Sequence, residues 1–302
     1  MKDLIILTVV LLAFSCSNPH DSKVAIDDKR HSTNVDSLSA KVDILHEGIK
    51  YIGFIDSFYF SNENEAYVEL YFIQDEISSD EYENIVDLSD SLIYKDDENS
   101  RHRIPADIAS KYFDLRGLSK LKIYDTKHNL VSGADFLRVE YLDQNISPVF
   151  IAVYRTDKRI VGDSYYGIGN FSGQFRPIKF TVSSDTILSG KLLAQLGDKQ
   201  TFFGLKDNGT HLHFNSGDTV LSVINSDNYA YIVLTTPKEF QVLYKSVEYE
   251  NYTDLKIIPL GNGIFPYILT RNVQPDTDVM WDRLLFFDGT KYTSADRQRV
   301  EK

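Results

Sequence analysis

One cysteine stands in this chain of 302 residues, at position 16, so no disulfide within the chain holds it together and its stability must come from packing. Positive charge is scarce as well. Against 44 Asp and Glu there are 32 Lys and Arg, a formal net charge of -12, and no Lys/Arg cluster stands out against that acidity. Nucleic acid and anionic membrane surfaces both need concentrated positive charge, so neither is expected as a partner. Sixteen glycines are too few to make a propeller attractive. A single tryptophan beside 19 tyrosines and 18 phenylalanines suits a β core with tyrosine at its edges. With 42% hydrophobic residues the chain can bury a sizeable core, as one large or two ordinary domains.

The apolar run that opens the chain is short. Leu4 to Phe14, interrupted by Thr8, is 11 residues. A helix of that length rises ~16 Å, about half the ~30 Å of a hydrocarbon core. Lys2 before it and polar residues after it complete the pattern of a cleaved secretory signal over 1–15. The run ends in Ala13-Phe14-Ser15-Cys16. That segment resembles the lipobox of bacterial lipoproteins, in which a small residue precedes a cysteine that is lipidated and becomes the mature N-terminus. Ser15 and Cys16 fit, whereas Ala13 departs from the preferred leucine. The resemblance implies lipidation at Cys16 and attachment to a membrane through that lipid. In such proteins the absence of an acid just after the cysteine argues against retention at the inner membrane, and Ser17 and Asn18 follow here.

Residues 16–41 are polar and lack a hydrophobic period, so they read as a flexible tether. A chain of roughly 24 residues reaches about 25 to 30 Å. Beyond it, Ala66 to Gln74 alternates, with Val68, Leu70 and Phe72 on one face, and together with Lys50 to Phe60 predicts a hairpin. Ten acids crowd Asp75 to Glu98 against Lys95 alone. Within that stretch Ser78 and Glu81 form a capping-box pattern ahead of Tyr82, Ile85, Val86 and Ser89 at helical spacing. A second short helix is expected over Pro105 to Phe113. From Leu121 onward the pattern is β: Leu137, Val139 and Tyr141 alternate with Arg138 and Glu140, and strand-like runs continue to Thr293. Leu137 to Ile151 can be laid over Leu255 to Leu269 without a gap, matching Leu142, Ile146 and Pro148 with Leu260, Ile264 and Pro266. This reads as a duplicated β unit, with coincidence between two amphipathic strands as the alternative.

Residues suited to chemistry are few. His211 and His213, two apart on a predicted strand, share a face and would bind zinc or copper given a third ligand; two histidines on an alternating strand are the commoner case. Asp276, Asp278 and Asp282 offer oxygens in a loop, but the glycine and terminal glutamate of an EF-hand are missing. Gly167, Gly169 and Gly173 lack the third glycine of a dinucleotide fingerprint and the serine of a nucleophile elbow, so a β-turn explains them better. Tyr165, Tyr166, Tyr249 and Tyr252 fall in predicted loops, where they would stack on a glycan or a protein or simply cover an edge.

The sequence therefore predicts a mainly β fold of two β-sandwich-like units, 42–182 and 183–302, with one or two short helices. Cys16 is the one assigned site residue, and no cofactor, metal or catalytic residue is assigned. The function expected is a non-catalytic binding or assembly module of the bacterial envelope, extracytoplasmic and at the outer membrane, with a protein or glycan partner. A secreted hydrolase with dispersed site residues, or a purely structural envelope component, are the alternatives.

Overall fold

A computed structural model describes residues 49–58, 63–72, 78–87, 91–95, 99–144, 149–162, 165–169, 171, 177–198, 209–214, 217–226, 228–248, 250–260, 264–273 and 280–294. The signal segment, Cys16 and the tether lie outside them. Phe202 to Leu205, whose pattern predicts the first strand of a hairpin with His211 to Phe214, also lies outside them, as do Ser172, Gly173, Tyr249, Asp276 and Asp278. The mainly β class holds, and none of the described helices is long and apolar enough to cross a membrane.

In chain order the first part contains β1 (Tyr51–Ser57), β2 (Glu65–Glu69), α1 (Ser79–Asp87), β3 (Ser91–Lys95), β4 (Asn99–Ile104) and α2 (Ala106–Tyr112). Then follow β5 (Lys120–Tyr124), β6 (Leu130–Gln144), β7 (Val149–Thr156) and β8 (Tyr165–Gly169). The expected hairpin is present, with Asp56 opposite Tyr67. The sheet does not stop there. β2 pairs with β7, β7 with β6, β6 with β5, β5 with β8 and β8 with β1, all antiparallel, so six strands close into a barrel rather than half of a sandwich.

Closure depends on what points inward. Gly53 lies opposite Gly167, and Tyr51 opposite Gly169, across the β1 and β8 pair. A Cβ on Gly53 would land on the Tyr51 ring, and one on Gly169 on the backbone carbonyl of Gly117. Gly167 and Gly169, which looked like a turn, are therefore strand residues, and it is Gly53 that leaves room for the Tyr51 ring. Ile55, Ala66, Val68, Leu121, Ile123, Ala152 and Tyr154 fill the remainder of the interior. One mouth is covered by α1 and α2 through Tyr82, Ile85, Val86, Ala109 and Tyr112. The capping box forms: the Glu81 N–H donates to Ser78 Oγ (3.2 Å) and the Ser78 N–H donates to Glu81 Oε2 (3.3 Å).

The second part contains β9 (Thr181–Ser183), α3 (Thr186–Leu196), β10 (Gly209–Phe214), β11 (Thr219–Asn225), β12 (Ala230–Thr235), β13 (Phe240–Lys245), β14 (Asn251–Ile258), β15 (Tyr267–Val273), β16 (Met280–Phe287) and β17 (Tyr292–Ser294). Strands β13-β12-β11-β10-β9 form one sheet and β14-β15-β16-β17 another. They pack face to face through Leu212, Leu221, Val223, Ile232, Ile268 and Leu285, which is the sandwich expected of this half.

The four-stranded sheet is buried on both faces. Its other side, carrying Tyr267, Leu269, Leu284 and Phe286, packs on the outside of the barrel at Ile52, Phe54, Tyr166 and Ile168. Each such fully buried side chain contributes about 1.5–3 kcal/mol. Arg271 closes that interface, donating to Asp56 of the barrel (3.0 and 3.2 Å) and to Asp282 of its own sheet (2.9 and 3.3 Å). On the far side, α3 lays Leu192 and Leu193 on Ile224, Tyr231 and Val233. The order of layers is thus helix, sheet, sheet and barrel.

The two segments that align in sequence are both hairpins. Leu142 faces Val149 at the end of the β6 and β7 pair, and the Tyr267 N–H bonds to the Leu260 carbonyl (2.7 Å) at the corresponding place between β14 and β15. The likeness ends at the hairpin, since one belongs to a closed ring and the other to an open sheet.

Candidate functional site

The side chains suited to chemistry are taken up by the fold. His211 and His213 share a face of β10, as their spacing predicts, but that face lies under α3. His211 is 0% exposed. Its Nδ1 lies 2.8 Å from Ser222 Oγ, and its Nε2 lies 3.0 Å from both Ser189 Oγ and the Asp185 carbonyl. A carbonyl only accepts, so Nε2 carries the proton and Nδ1 accepts from the Ser222 hydroxyl. Burial pushes the His211 pKa down. Ser189 beside this ring is also 0% exposed, and because Nε2 holds the proton the ring is no base for its hydroxyl, which donates to the Asp185 carbonyl. His213 is bound to Ser183 Oγ at 2.8 Å.

Asp282 is not a loop residue. It lies on β16 and pairs with Arg271, and burial raises its pKa. Among the described residues no three His, Cys, Asp or Glu side chains converge as a metal site. Tyr165 and Tyr166 lie on strand β8, and Tyr166 is buried between the barrel and the four-stranded sheet. Tyr252 is buried on β14, its hydroxyl donating to the Val223 carbonyl. Between the sandwich sheets, Ala230, Ser246, Thr270 and Asn272 line a void with room for about one water.

What stands apart is the ribbon of β3 and β4, which leaves the ring. β6 is 15 residues long, and along one edge it pairs first with β5 through Leu130–Asp135 and then with β4 through Val139–Gln144. The irregularity between Phe136 and Arg138 marks this change on the β7 side. Buried charges pin the ribbon to the barrel wall. Arg101 of β4 donates from Nε to Glu140 Oε2 (2.6 Å), and from Nη2 to Glu140 Oε1 (2.9 Å) and Glu65 Oε2 (2.8 Å). Arg138 completes the ring of contacts, reaching Glu65 at 2.9 Å and also Glu140.

Two arginines and two glutamates cancel, and the Arg101 guanidinium stacks 3.9 Å from the Phe58 ring centre. Burial alone would raise the Glu65 pKa, but hydrogen bonds and positive charge from Arg101 and Arg138 outweigh it and hold the carboxyl below its ordinary range. Three buried charges and the half-buried Arg138, each paired with an opposite charge, form a clamp between ribbon and barrel.

The clamp holds up an edge. Among the described residues β3 is the last strand of its sheet, bonded to β4, and it carries Leu92 (56% exposed) and Ile93 (37% exposed). Beside it in sequence, α1 turns Tyr82, Ile85 and Val86 into the barrel and leaves Asp80, Glu83 and Asp87 exposed at helical spacing. No basic residue lies in the last turn of α1, and Asp87 sits at the negative end of the helix dipole. The capping-box pattern and helical spacing predict the helix of this stretch and miss the strand after it. The signal was the run Leu92-Ile93-Tyr94 between acids.

Searches against family models, curated proteins and solved structures found no match for the chain.

Proposed function

We propose that the protein is a bacterial envelope lipoprotein, anchored through a lipid on Cys16 and acting as a non-catalytic binding or assembly module at the outer membrane. The anchor rests on the signal-like run and on Cys16 as the sole thiol. The binding role is supported chiefly by one feature of the folded body, a strand edge held out from a closed barrel by a buried charge clamp. A ribbon fixed in this way loses little freedom when a partner engages it, which is the condition for useful affinity from a small contact. Mass spectrometry of the mature N-terminus tests the anchor. A diacylated or triacylated Cys16, lost in Cys16→Ala together with membrane fractionation, is the expected result. An intact Met1, or an unmodified Cys16 after cleavage, would overturn it.

A further inference from the structure

We infer that the open wall of the barrel, along β5 and the first half of β6, lies against the anionic phospholipid headgroups of the membrane that holds Cys16. This rests on reading the protein as lipid-anchored and says which way its body faces.

Two sides of the barrel are covered. β1 and β8 lie under the four-stranded sheet through Ile52, Phe54, Tyr166 and Ile168, while β2, β7 and the second half of β6 carry Phe58, the clamp and the ribbon. The side where β5 meets Leu130–Asp135 stays open. There the side chains of Lys120 and Asp135 are 79% and 67% exposed, and Arg155 is exposed beside them.

Register places the charges of this wall. Lys120, Asp135 and Arg155 form one row across β5, β6 and β7, and Lys122 lies opposite Gly133 in the next. Lys50 and Arg116 join them at the start of β5. The Lys50 N–H donates to the Gly169 carbonyl (3.2 Å), Gly169 lies opposite Leu121, and a Cβ on Gly117 would meet that of Lys50. Lys158 is exposed just past β7. These six cations share the wall with three acids, each already engaged: Asp114 holds Arg116, Asp135 holds Lys120, and Asp157 accepts from the Gly133 N–H (2.9 Å). At the rim Arg159 offsets Glu63, and Lys127 offsets Asp125. A positive wall thus stands on a chain of net charge -12. Its cations come from separated stretches, so no run of Lys and Arg marks it in the sequence.

The place where the rest of the chain joins the body selects the occupant. The stretch that follows Cys16 enters the described residues at Ile49 and Lys50, beside this wall, so an anchored body presents this side first to its own membrane. Headgroup phosphates suit it, since lysine meets them as a point charge and arginine as a fork. Each Lys or Arg near an anionic surface adds to the attraction. Acids elsewhere on the body oppose this weakly, because exposed charges are screened over about 8 Å at physiological salt. The exposed Lys120–Asp135 pair also gives up little when a phosphate replaces the carboxylate.

The test uses the full chain and vesicles of phosphatidylcholine, alone or with about one-third phosphatidylglycerol, and reads binding by flotation. An acyl anchor inserts into both vesicles, so the ratio of the two affinities reports the wall. At physiological salt binding should be at least about tenfold tighter to the anionic vesicles, and the preference should vanish in about 1 M salt. Lys120→Gln/Lys122→Gln should lower the ratio by about fivefold and leave binding to neutral vesicles unchanged. Lys191→Gln/Lys238→Gln removes the same charge from α3 and the β12–β13 turn, away from the barrel, and should leave the ratio intact. Thermal melts check that both variants fold. Equal binding to both vesicles, or a ratio untouched by the wall variant, overturns the inference. Equal loss in the two variants overturns it in favour of net charge. Failure of the anchor shows separately, as lost binding to the neutral vesicles.

Discussion

Arg101 and Glu140 are diagonal neighbours across the β4 and β6 pair, joined by two hydrogen bonds of 2.6 and 2.9 Å, with the Glu140 side chain fully buried. Removing one member of such a pair strands the other. Arg101→Met should lower stability by about 3–5 kcal/mol, and a change of both partners to apolar residues should recover part of that. Urea unfolding of the two single variants and the double variant measures the coupling. Additive losses would show that the clamp is not a unit.

The inward glycines make a second prediction. Gly169→Ala should cost about 1–3 kcal/mol, because its methyl group meets backbone, which cannot rotate away. Gly53→Ala meets a side chain instead, so Tyr51→Leu in the same molecule should relieve part of the loss. A double variant no better than the sum of its parts argues against the ring lying over Gly53.

His211 should make stability depend on pH. Its folded pKa lies below the ordinary 6.5, so as pH falls the unfolded chain takes up a proton before the folded chain does. Stability should hold above that value, decline as pH falls below it, and level off beneath the folded pKa. His211→Gln should flatten the melting temperature between neutral and mildly acid pH, and an unchanged slope would assign the dependence to other groups.

Arg271 predicts an opposite trend in a variant. Arg271→Met leaves Asp56 and Asp282 facing one another at the interface without their cation. The penalty should be large at neutral pH and shrink in acid, where Asp282, already raised by burial, takes up a proton. Melting curves of native and variant protein at both pH values should converge on the acid side.

Much of the strand pattern was legible because its period of two is local. The capping box at Ser78 and Glu81 was legible for the same reason. α3 was missed although Asp185 and Gly197 bracket it: Asp185 Oδ1 accepts from the Ile187 and Leu188 N–H groups, and Gly197 takes φ +73°. A helix apolar on most of its surface shows little of the alternation that marks an amphipathic one. Barrel closure could not be read, since it joins β1 to a strand more than a hundred residues later. The polar face of β6 misled. Arg138 and Glu140 look like solvated strand charges until Glu65 and Arg101 arrive from distant parts of the chain to bury them. The candidate edge was hidden among acids whose pattern announced only the helix.

Barrel closure also sets an order of events. β1 is made early and has one partner close by in β2, but its other edge must wait for β8. In a chain delivered N-terminus first, β8, with Gly167 and Gly169, follows every other strand of the ring. Without β8 the first strand lacks partners for the backbone N–H and C=O groups along that edge, and closing the ring carries the entropy of a long loop. A nascent chain that stops short of Tyr165 lacks the strand that joins β5 to β1, so Tyr165–Gly169 is the latch of the first unit.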